Sequence, residues 1–362
     1  MKILFVITGL GLGGAERLVV DLADRYVLKG HEVIIAYFTG EARVLPRSSQ
    51  VTLIKLPVTS LFTLVGAYAE LVCLVRRSKP DVVHSHLFHA NILARLARVL
   101  APMRKLVSSA HNNKEVKSYR MVLYRLTNAL ADINTNVSQA AVNEYVERGG
   151  VRLGGMQAVY NGISLEKFNF SRASRDALRL EFNVPDGSTV LLSVGRLDRP
   201  KDYPNLLAAA ACLVRRNVDF KWLVAGDGPL ADELLVLLQS CNLEGYVSFL
   251  GARDDIPELM SASDVFVLSS AWEGFGLVVA EAMACERVVV ATDCGGVREV
   301  VGQQGFIVPV GSPDKLSEAI LAAINLPEDR RLELGLAARA RIVDNFSIDA
   351  ICDKWLSLYG NL

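Results

Sequence analysis

Short apolar runs punctuate the chain, and between them lie stretches in which apolar residues recur every three to four positions. The runs at 3–8, 32–38, 51–55, 81–85, 105–110, 132–136 and 156–160 include several that are continuous and rich in Val, Ile and Leu. Such runs predict strands covered on both faces. Strands that alternate with helical patterns predict parallel, doubly wound sheets. A turn-rich segment, from Tyr160-Asn161-Gly162-Ile163 to Pro185-Asp186-Gly187, breaks the alternation and marks a domain boundary. The alternation restarts at 189–194, 219–225, 246–249, 264–268, 287–291 and 305–308, and the chain closes on two helical patterns. No repeat or low-complexity tract interrupts this order.

Composition narrows the class. A length of 362 residues with 51% hydrophobic content suits two cores better than one. No apolar run approaches the roughly 20 residues that span a bilayer, and Ile3-Leu4-Phe5-Val6-Ile7 is too short for a signal segment. Six cysteines (73, 212, 241, 285, 294 and 352) lack paired spacing and are expected to be reduced thiols in the cytoplasm. The net charge of zero conceals a split: residues 1–160 carry 20 Lys and Arg against 11 Asp and Glu, so the rest of the chain is as acidic as this half is basic. The first half therefore has the balance expected of a partner to an anionic surface. No stacking platform or reading helix points to nucleic acid, so an anionic membrane is the better match.

Three loops at strand ends carry candidate chemistry. Gly9, Gly11 and Gly14 follow the GxGxxG spacing after the first strand, and Glu41 could serve as a ribose acid for a dinucleotide. More broadly, small residues there let backbone N–H groups approach a phosphate or sugar, and a plain strand-to-helix turn is the competing explanation. After strand 189–194 come Gly195-Arg196-Leu197-Asp198-Arg199-Pro200-Lys201-Asp202; Arg196 and Lys201 can neutralise a diphosphate, or simply decorate a solvated loop. Ser108-Ser109-Ala110-His111 ends another strand, where His111 can touch a sugar or close a loop. His84, His86 and His89 have no Cys or carboxylate cluster to complete a zinc site and are expected to be structural.

The most specific segment is 269–284. Glu273 sits in a loop bracketed by glycines, where its carboxylate can accept hydrogen bonds from sugar hydroxyls. Free N–H groups near Gly276, Leu277 and Val278 open the next helix and form an anion site. Glu281 falls inside Val-Val-Ala-Glu-Ala-Met-Ala, where an acid is hard to explain structurally but could chelate a ribose.

At these residues the sequence resembles the family 4 glycosyltransferases of the GT-B fold, over almost its whole length. Glu273 and Glu281 reproduce the family's E-x7-E element, Arg196 and Lys201 fall on its diphosphate-binding pair, and His111 matches its active-site histidine. Gly13-Gly14-Ala15-Glu16-Arg17 looks like its glycine loop and Tyr160-Asn161-Gly162-Ile163 like its hinge. Gly226-Asp227-Gly228-Pro229 and residues 293–299 match further segments. Asp198-Arg199-Pro200 and Pro204 depart from the usual pattern. The resemblance implies two Rossmann-like domains facing a central cleft: an acceptor-side domain at 1–162 plus 347–362, and a nucleotide-sugar domain at 163–346. It implies retention of anomeric configuration, no cofactor and no metal. The expected donor is a UDP-sugar carrying a hexose or N-acetylhexosamine, and the expected acceptor a lipid-linked glycan.

The stretch 114–126 interleaves Lys117, Arg120 and Arg125 with Tyr119, Met121, Val122, Leu123 and Tyr124. Such a helix can lie at a bilayer interface, with Arg95, Arg98, Arg104 and Lys105 adding charge, or pack ordinarily with snorkelling Arg stems. The expectation is a cytoplasmic enzyme peripheral on the inner membrane face. The rivals are an NAD-linked oxidoreductase using residues 9–14 and a non-enzymatic basic membrane- or nucleic-acid-binding module using residues 95–125.

Overall fold

The computed structural model describes residues 1–11, 13–111, 118–185 and 187–360; Leu12 of the glycine loop and Asp186 of the boundary segment lie outside them. The chain forms two compact units, Met1–Gly162 with Ile348–Leu362, and Ile163–Ser347.

In the first unit, β1 (Lys2–Gly9), β2 (Glu32–Thr39), β3 (Thr52–Lys55), β4 (Val82–His86), β5 (Lys105–Ser109), β6 (Ile133–Asn136) and β7 (Gln157–Ala158) make one sheet in the order β3-β2-β1-β4-β5-β6-β7. Every pairing is parallel. The order reverses between β1 and β4, and the carboxyl ends of strands beside such a reversal are where open α/β sheets bind ligands. Between the strands run α1 (Gly14–Leu28), α2 (Leu61–Ser78), α3 (Phe88–Leu100), α4 (Ser118–Thr127) and α5 (Gln139–Glu147). Ile3 to Ile7 are fully buried and alternate between two cores, one on each face of the sheet.

The second unit repeats the plan with α6 (Arg172–Glu181), β8 (Thr189–Val194), α7 (Tyr203–Arg215), β9 (Phe220–Ala225), α8 (Ala231–Ser240), β10 (Val247–Phe249), α9 (Ile256–Ala262), β11 (Val265–Leu268), α10 (Leu277–Ala284), β12 (Val288–Thr292), α11 (Val297–Val301) and β13 (Phe306–Val308). Its sheet runs β10-β9-β8-β11-β12-β13, again parallel, with the reversal between β8 and β11. Asp264 ties α6 to the start of β11 by accepting from Arg175 at 2.6 Å and Arg179 at 3.1 Å.

Three helices follow β13, not the two expected: α12 (Pro313–Ile324), α13 (Glu328–Phe346) and α14 (Ile348–Gly360). Only Ser347 separates α13 from α14, so their apolar patterns run together along the sequence. The last helix belongs to the first unit. Its Ile351, Cys352, Trp355 and Tyr359 are buried against Phe5, Leu22 and Tyr26. A buried aromatic of this size contributes about 3–5 kcal/mol. Lys105 Nζ donates to the carbonyl oxygens of Leu358 at 2.7 Å and Tyr359 at 3.3 Å, a cation placed at the end of α14 where the helix dipole is negative.

Candidate active site

The second unit gathers its candidate residues at the carboxyl ends of β8 and β11. Lys201 ends a single helical turn, Arg199–Lys201, after which Asp202 adopts the left-handed conformation with φ 48°. That turn aims the Lys201 amine at Glu273: Nζ donates to Oε1 at 2.6 Å, and Ser270 Oγ donates to the same oxygen at 2.7 Å. Both side chains are largely buried, at 18% and 15% exposure. Burial works against the Lys201 charge, but the Glu273 carboxylate beside it prevails and holds the amine above its ordinary value.

The two loops are also joined through the backbone. Ala271 N–H donates to Pro200 O at 2.8 Å, and Ser269 Oγ donates to Lys201 O at 2.8 Å. Thr292, at the end of β12, fixes the second loop by donating from Oγ1 to Ser270 O at 2.6 Å.

Glycine is required where these loops pack. A Cβ on Gly195 would lie 2.9 Å from Lys201 Cε, so a side chain there would displace the amine. Gly226 has φ 149°, and a Cβ on it would overlap the Gly195 carbonyl oxygen. The segment 226–228 therefore supports the loop beneath it, and Asp227 O accepts from Leu197 N–H at 3.0 Å.

The two cations differ. Arg196 is exposed, with Nε 3.8 Å from Asp198 Oδ2, whereas Lys201 is engaged inside. Burial pushes the Asp198 carboxyl above its ordinary value against the pull of Lys201 and Arg196.

Gly276 precedes α10 in the left-handed conformation, φ 88°, with Val297 Cγ2 2.9 Å from where a Cβ would sit. Leu277 and Val278 open the helix half-buried, so their N–H groups belong to its unsatisfied first turn. Glu281 lies one turn further on and is 3% exposed. Cys294 is buried beside the Lys201–Glu273 pair; burial and then the Glu273 charge push its thiol up to about 12. Ser270 and Cys294 fell inside segments that the sequence marked without a role of their own, and Thr292 was not marked, because a small polar residue at a strand end carries no signal until its partner is known.

In the first unit His111 follows β5, two residues past Ser109. Its Nε2 lies 2.9 Å from Nδ1 of His86, at the end of β4. His84 is bonded to Tyr359 Oη at 2.5 Å and to Ser109 Oγ at 2.7 Å, and its ring lies 4.0 Å from that of His86. Burial pulls all three imidazoles down, His111 to about 4, so they are neutral at pH 7. His89 is exposed on α3. Gly13 precedes α1, where the Glu16 carboxylate folds back over it; a side chain at 13 would collide with that carboxylate. Gly9 and Gly11 line the approach to this turn, Gly14 begins the helix, and Glu41 is exposed beyond the end of β2.

The basic segment requires correction. Arg95 and Lys105 are not on the surface: Arg95 is fully buried, donating to Ser108, Thr127 and Asn134, and Lys105 caps α14. Arg98 pairs with Asp132 at 2.7 Å and Arg104 with Asp81 at 3.0 Å. Arg120 stacks over the Phe88 ring at 4.7 Å. Asn112, Asn113, Lys114, Glu115, Val116 and Lys117 lie outside the described residues. What α4 does expose is an apolar stripe, Tyr119, Val122 and Leu126, beside Arg125; Met121 and Tyr124 face inward. Among the described residues no helix is long and apolar enough to cross a membrane.

Residues 12–167 match the family model Glycosyltransferase Family 4, and residues 174–341 match Glycosyl transferases group 1. The N-acetyl-α-D-glucosaminyl L-malate synthase of Bacillus anthracis is 30% identical over 297 residues, 78% of this chain and 75% of that one. A UDP-Gal:α-D-GlcNAc-diphosphoundecaprenol α-1,3-galactosyltransferase of Escherichia coli is 28% identical over 318 residues, covering 83% and 80% of the two chains. The crystal structure of Anabaena HepE in complex with UDP superimposes with a TM-score of 0.88 at 25% identity, over 100% of both chains. Two parallel-sheet units with this relationship define a GT-B glycosyltransferase. The chain belongs to glycosyltransferase family 4.

Proposed function

We propose that this enzyme transfers a hexose or N-acetylhexosamine from a UDP-sugar to a lipid-linked glycan, retaining the anomeric configuration and needing no divalent metal, in polysaccharide or glycoconjugate synthesis. The observation that carries this proposal is the Lys201–Glu273 pair, a buried cation and carboxylate 2.6 Å apart at the sheet's ligand-binding edge. A sugar nucleotide presents the complement of both, an anionic diphosphate and a row of hydroxyls. Lys201 and Arg196 take the diphosphate, the first turn of α10 takes a phosphate oxygen, Glu273 reads the sugar and Glu281 chelates the ribose. As the bond from the anomeric carbon to phosphate oxygen breaks, charge grows on the leaving diphosphate where the cations stabilise it most. The acceptor oxygen bonds to the anomeric carbon from the same face, and its proton passes to the departing phosphate oxygen. His111 attends the reacting sugar or the acceptor. The E. coli relative's UDP-Gal donor and diphosphoundecaprenol-linked acceptor, and the UDP in the Anabaena structure, support the donor and acceptor classes.

A screen of UDP-sugars against lipid-linked and free acceptors tests this directly. Turnover of a UDP-sugar onto a lipid-linked acceptor, with the anomeric configuration kept, is the expected result; turnover only with free acceptors or another nucleotide would reject it.

A lipid acceptor also requires access to a bilayer, and the enzyme is proposed to work peripherally on the cytoplasmic face. The exposed stripe of Tyr119, Val122 and Leu126 beside Arg125 is the candidate contact. Electrostatic attachment is worth about 1 kcal/mol per basic side chain near the surface and weakens with salt. Vesicles containing anionic lipid should therefore sediment the protein at low salt and release it at high salt. Val122→Glu with Arg125→Glu should abolish sedimentation while UDP binding is unchanged. Failure of the wild-type protein to sediment at low salt would make a free acceptor the better candidate.

A further inference from the structure

We infer that the Lys201–Glu273 pair lets the site tell a loaded sugar nucleotide from a spent one and expel the spent one, an inference that rests on a UDP-sugar being the donor. Without a ligand, the two side chains answer each other's charge at 2.6 Å inside the protein. Ser270 Oγ donates to the same carboxylate oxygen at 2.7 Å, and among the described residues Lys201 and Ser270 are the hydrogen-bond donors to Glu273. Arg196 and Asp198 form a second, looser pair 3.8 Å apart, so two cations face two carboxylates and the charges balance. An arriving diphosphate therefore finds no spare positive charge. It must draw on an amine that a buried carboxylate already uses. Whether Lys201 leaves Glu273 or divides its three N–H donors between carboxylate and phosphate, one positive charge then answers for two anions.

What the ligand offers Glu273 in return decides the outcome. A UDP-sugar brings hydroxyls, neutral donors that can take the place of the ammonium on the carboxylate. Spent UDP brings none, and its newly freed terminal phosphate loses a further proton near about pH 6, which adds negative charge. Glu273 is then buried beside a second anion with the Ser270 hydroxyl as its remaining donor among the described residues, the costly state of a half-broken ion pair. Departure of UDP returns Lys201 to Glu273 and removes that cost. The pair can open because other bonds keep the two loops joined: Ala271 N–H to Pro200 O and Ser269 Oγ to Lys201 O, each 2.8 Å. Gly195, with no Cβ to crowd Lys201 Cε, leaves the amine room to turn. Glu273 thus acts twice, reading the sugar while it is present and rejecting the nucleotide once it is gone.

Calorimetric titration without acceptor tests this, with UDP, inorganic pyrophosphate and three UDP-sugars (UDP-glucose, UDP-galactose and UDP-N-acetylglucosamine) as probes. The wild-type protein should bind the best of the UDP-sugars roughly ten-fold or more tightly than UDP. Glu273→Gln should bind UDP and pyrophosphate several-fold more tightly than the wild type does, and lose most of the preference for the UDP-sugar. Ser270→Ala, which removes the remaining donor and keeps both charges, should weaken UDP more than the UDP-sugar and so widen the gap. A pair that merely clamped two loops would give no gain in affinity when its carboxylate is lost. Unchanged or weaker binding of UDP and pyrophosphate by Glu273→Gln therefore overturns the inference. So does a folded Ser270→Ala variant with the wild-type ratio of UDP to UDP-sugar affinity. If no UDP-sugar binds the wild-type protein, it is the donor reading that fails, and the pyrophosphate titrations still judge whether the pair resists a bare diphosphate.

Discussion

Glu281→Gln and Glu273→Gln should both cripple transfer, and by different routes. Glu281 is 3% exposed within α10, so the hydrogen bonds proposed between its carboxylate and a ribose would be made in a dry site. Losing one charged hydrogen bond costs about 1.5–3 kcal/mol, so UDP itself should bind roughly ten-fold or more weakly to Glu281→Gln. Glu273 is different because Lys201 holds it before any ligand arrives. Removing its charge frees Lys201 for the diphosphate, so UDP affinity should be kept or improved while turnover falls roughly ten-fold or more. Calorimetric titration with UDP separates the two effects. Wild-type turnover by either variant would take that carboxylate out of the active site.

Lys201→Ala should be the more damaging of the two diphosphate substitutions. It removes the cation proposed to hold the diphosphate and leaves the buried Glu273 carboxylate, among the described residues, with the Ser270 hydroxyl as its remaining hydrogen-bond donor. Breaking a buried ion pair at one end costs about 3–5 kcal/mol, part of which should appear as a lower melting temperature. Arg196 is exposed and weakly held, so Arg196→Ala should lower transfer while leaving the melting temperature unchanged. Pairing Lys201→Ala with Glu273→Gln should recover stability but not activity, because the stranded charge is gone and the ligand contacts are not restored. Wild-type activity should survive excess EDTA. Loss of all turnover on chelation, rescued by Mg²⁺, would show that these cations do not suffice.

Much of this was legible in one sequence. The apolar runs located the strands of the described residues within a residue or two, most plainly β1, β11 and β12, because strands buried on both faces leave few polar positions. Glu273 stood out in a glycine-bracketed loop and Glu281 as an acid inside an apolar helix, whereas Arg196 and Lys201, after a strand end, read equally as surface charges of a solvated loop. What escaped depends on partners far along the chain. Lys105 reads as a surface cation until Leu358, 253 residues later, is found accepting from it. Arg95 likewise reads as membrane-facing charge, yet three neutral side chains enclose it and Tyr124 lies 5.0 Å beneath its guanidinium. The His86–His111 contact joins two strand ends that sequence spacing does not bring together.

The placement of α14 also sets an order of events during synthesis. Domains commonly fold as they leave the ribosome, the first made folding first. Here the first half cannot complete its interior on that schedule, since Trp355 and Tyr359 fill the space against Tyr26 and Phe5. The stretch 163–347 has all of its own strands and helices before α14 is translated. The unit that starts translation therefore cannot close its core until the last helix has been made, and until then the face of α1 that α14 covers is open to solvent and to chaperones.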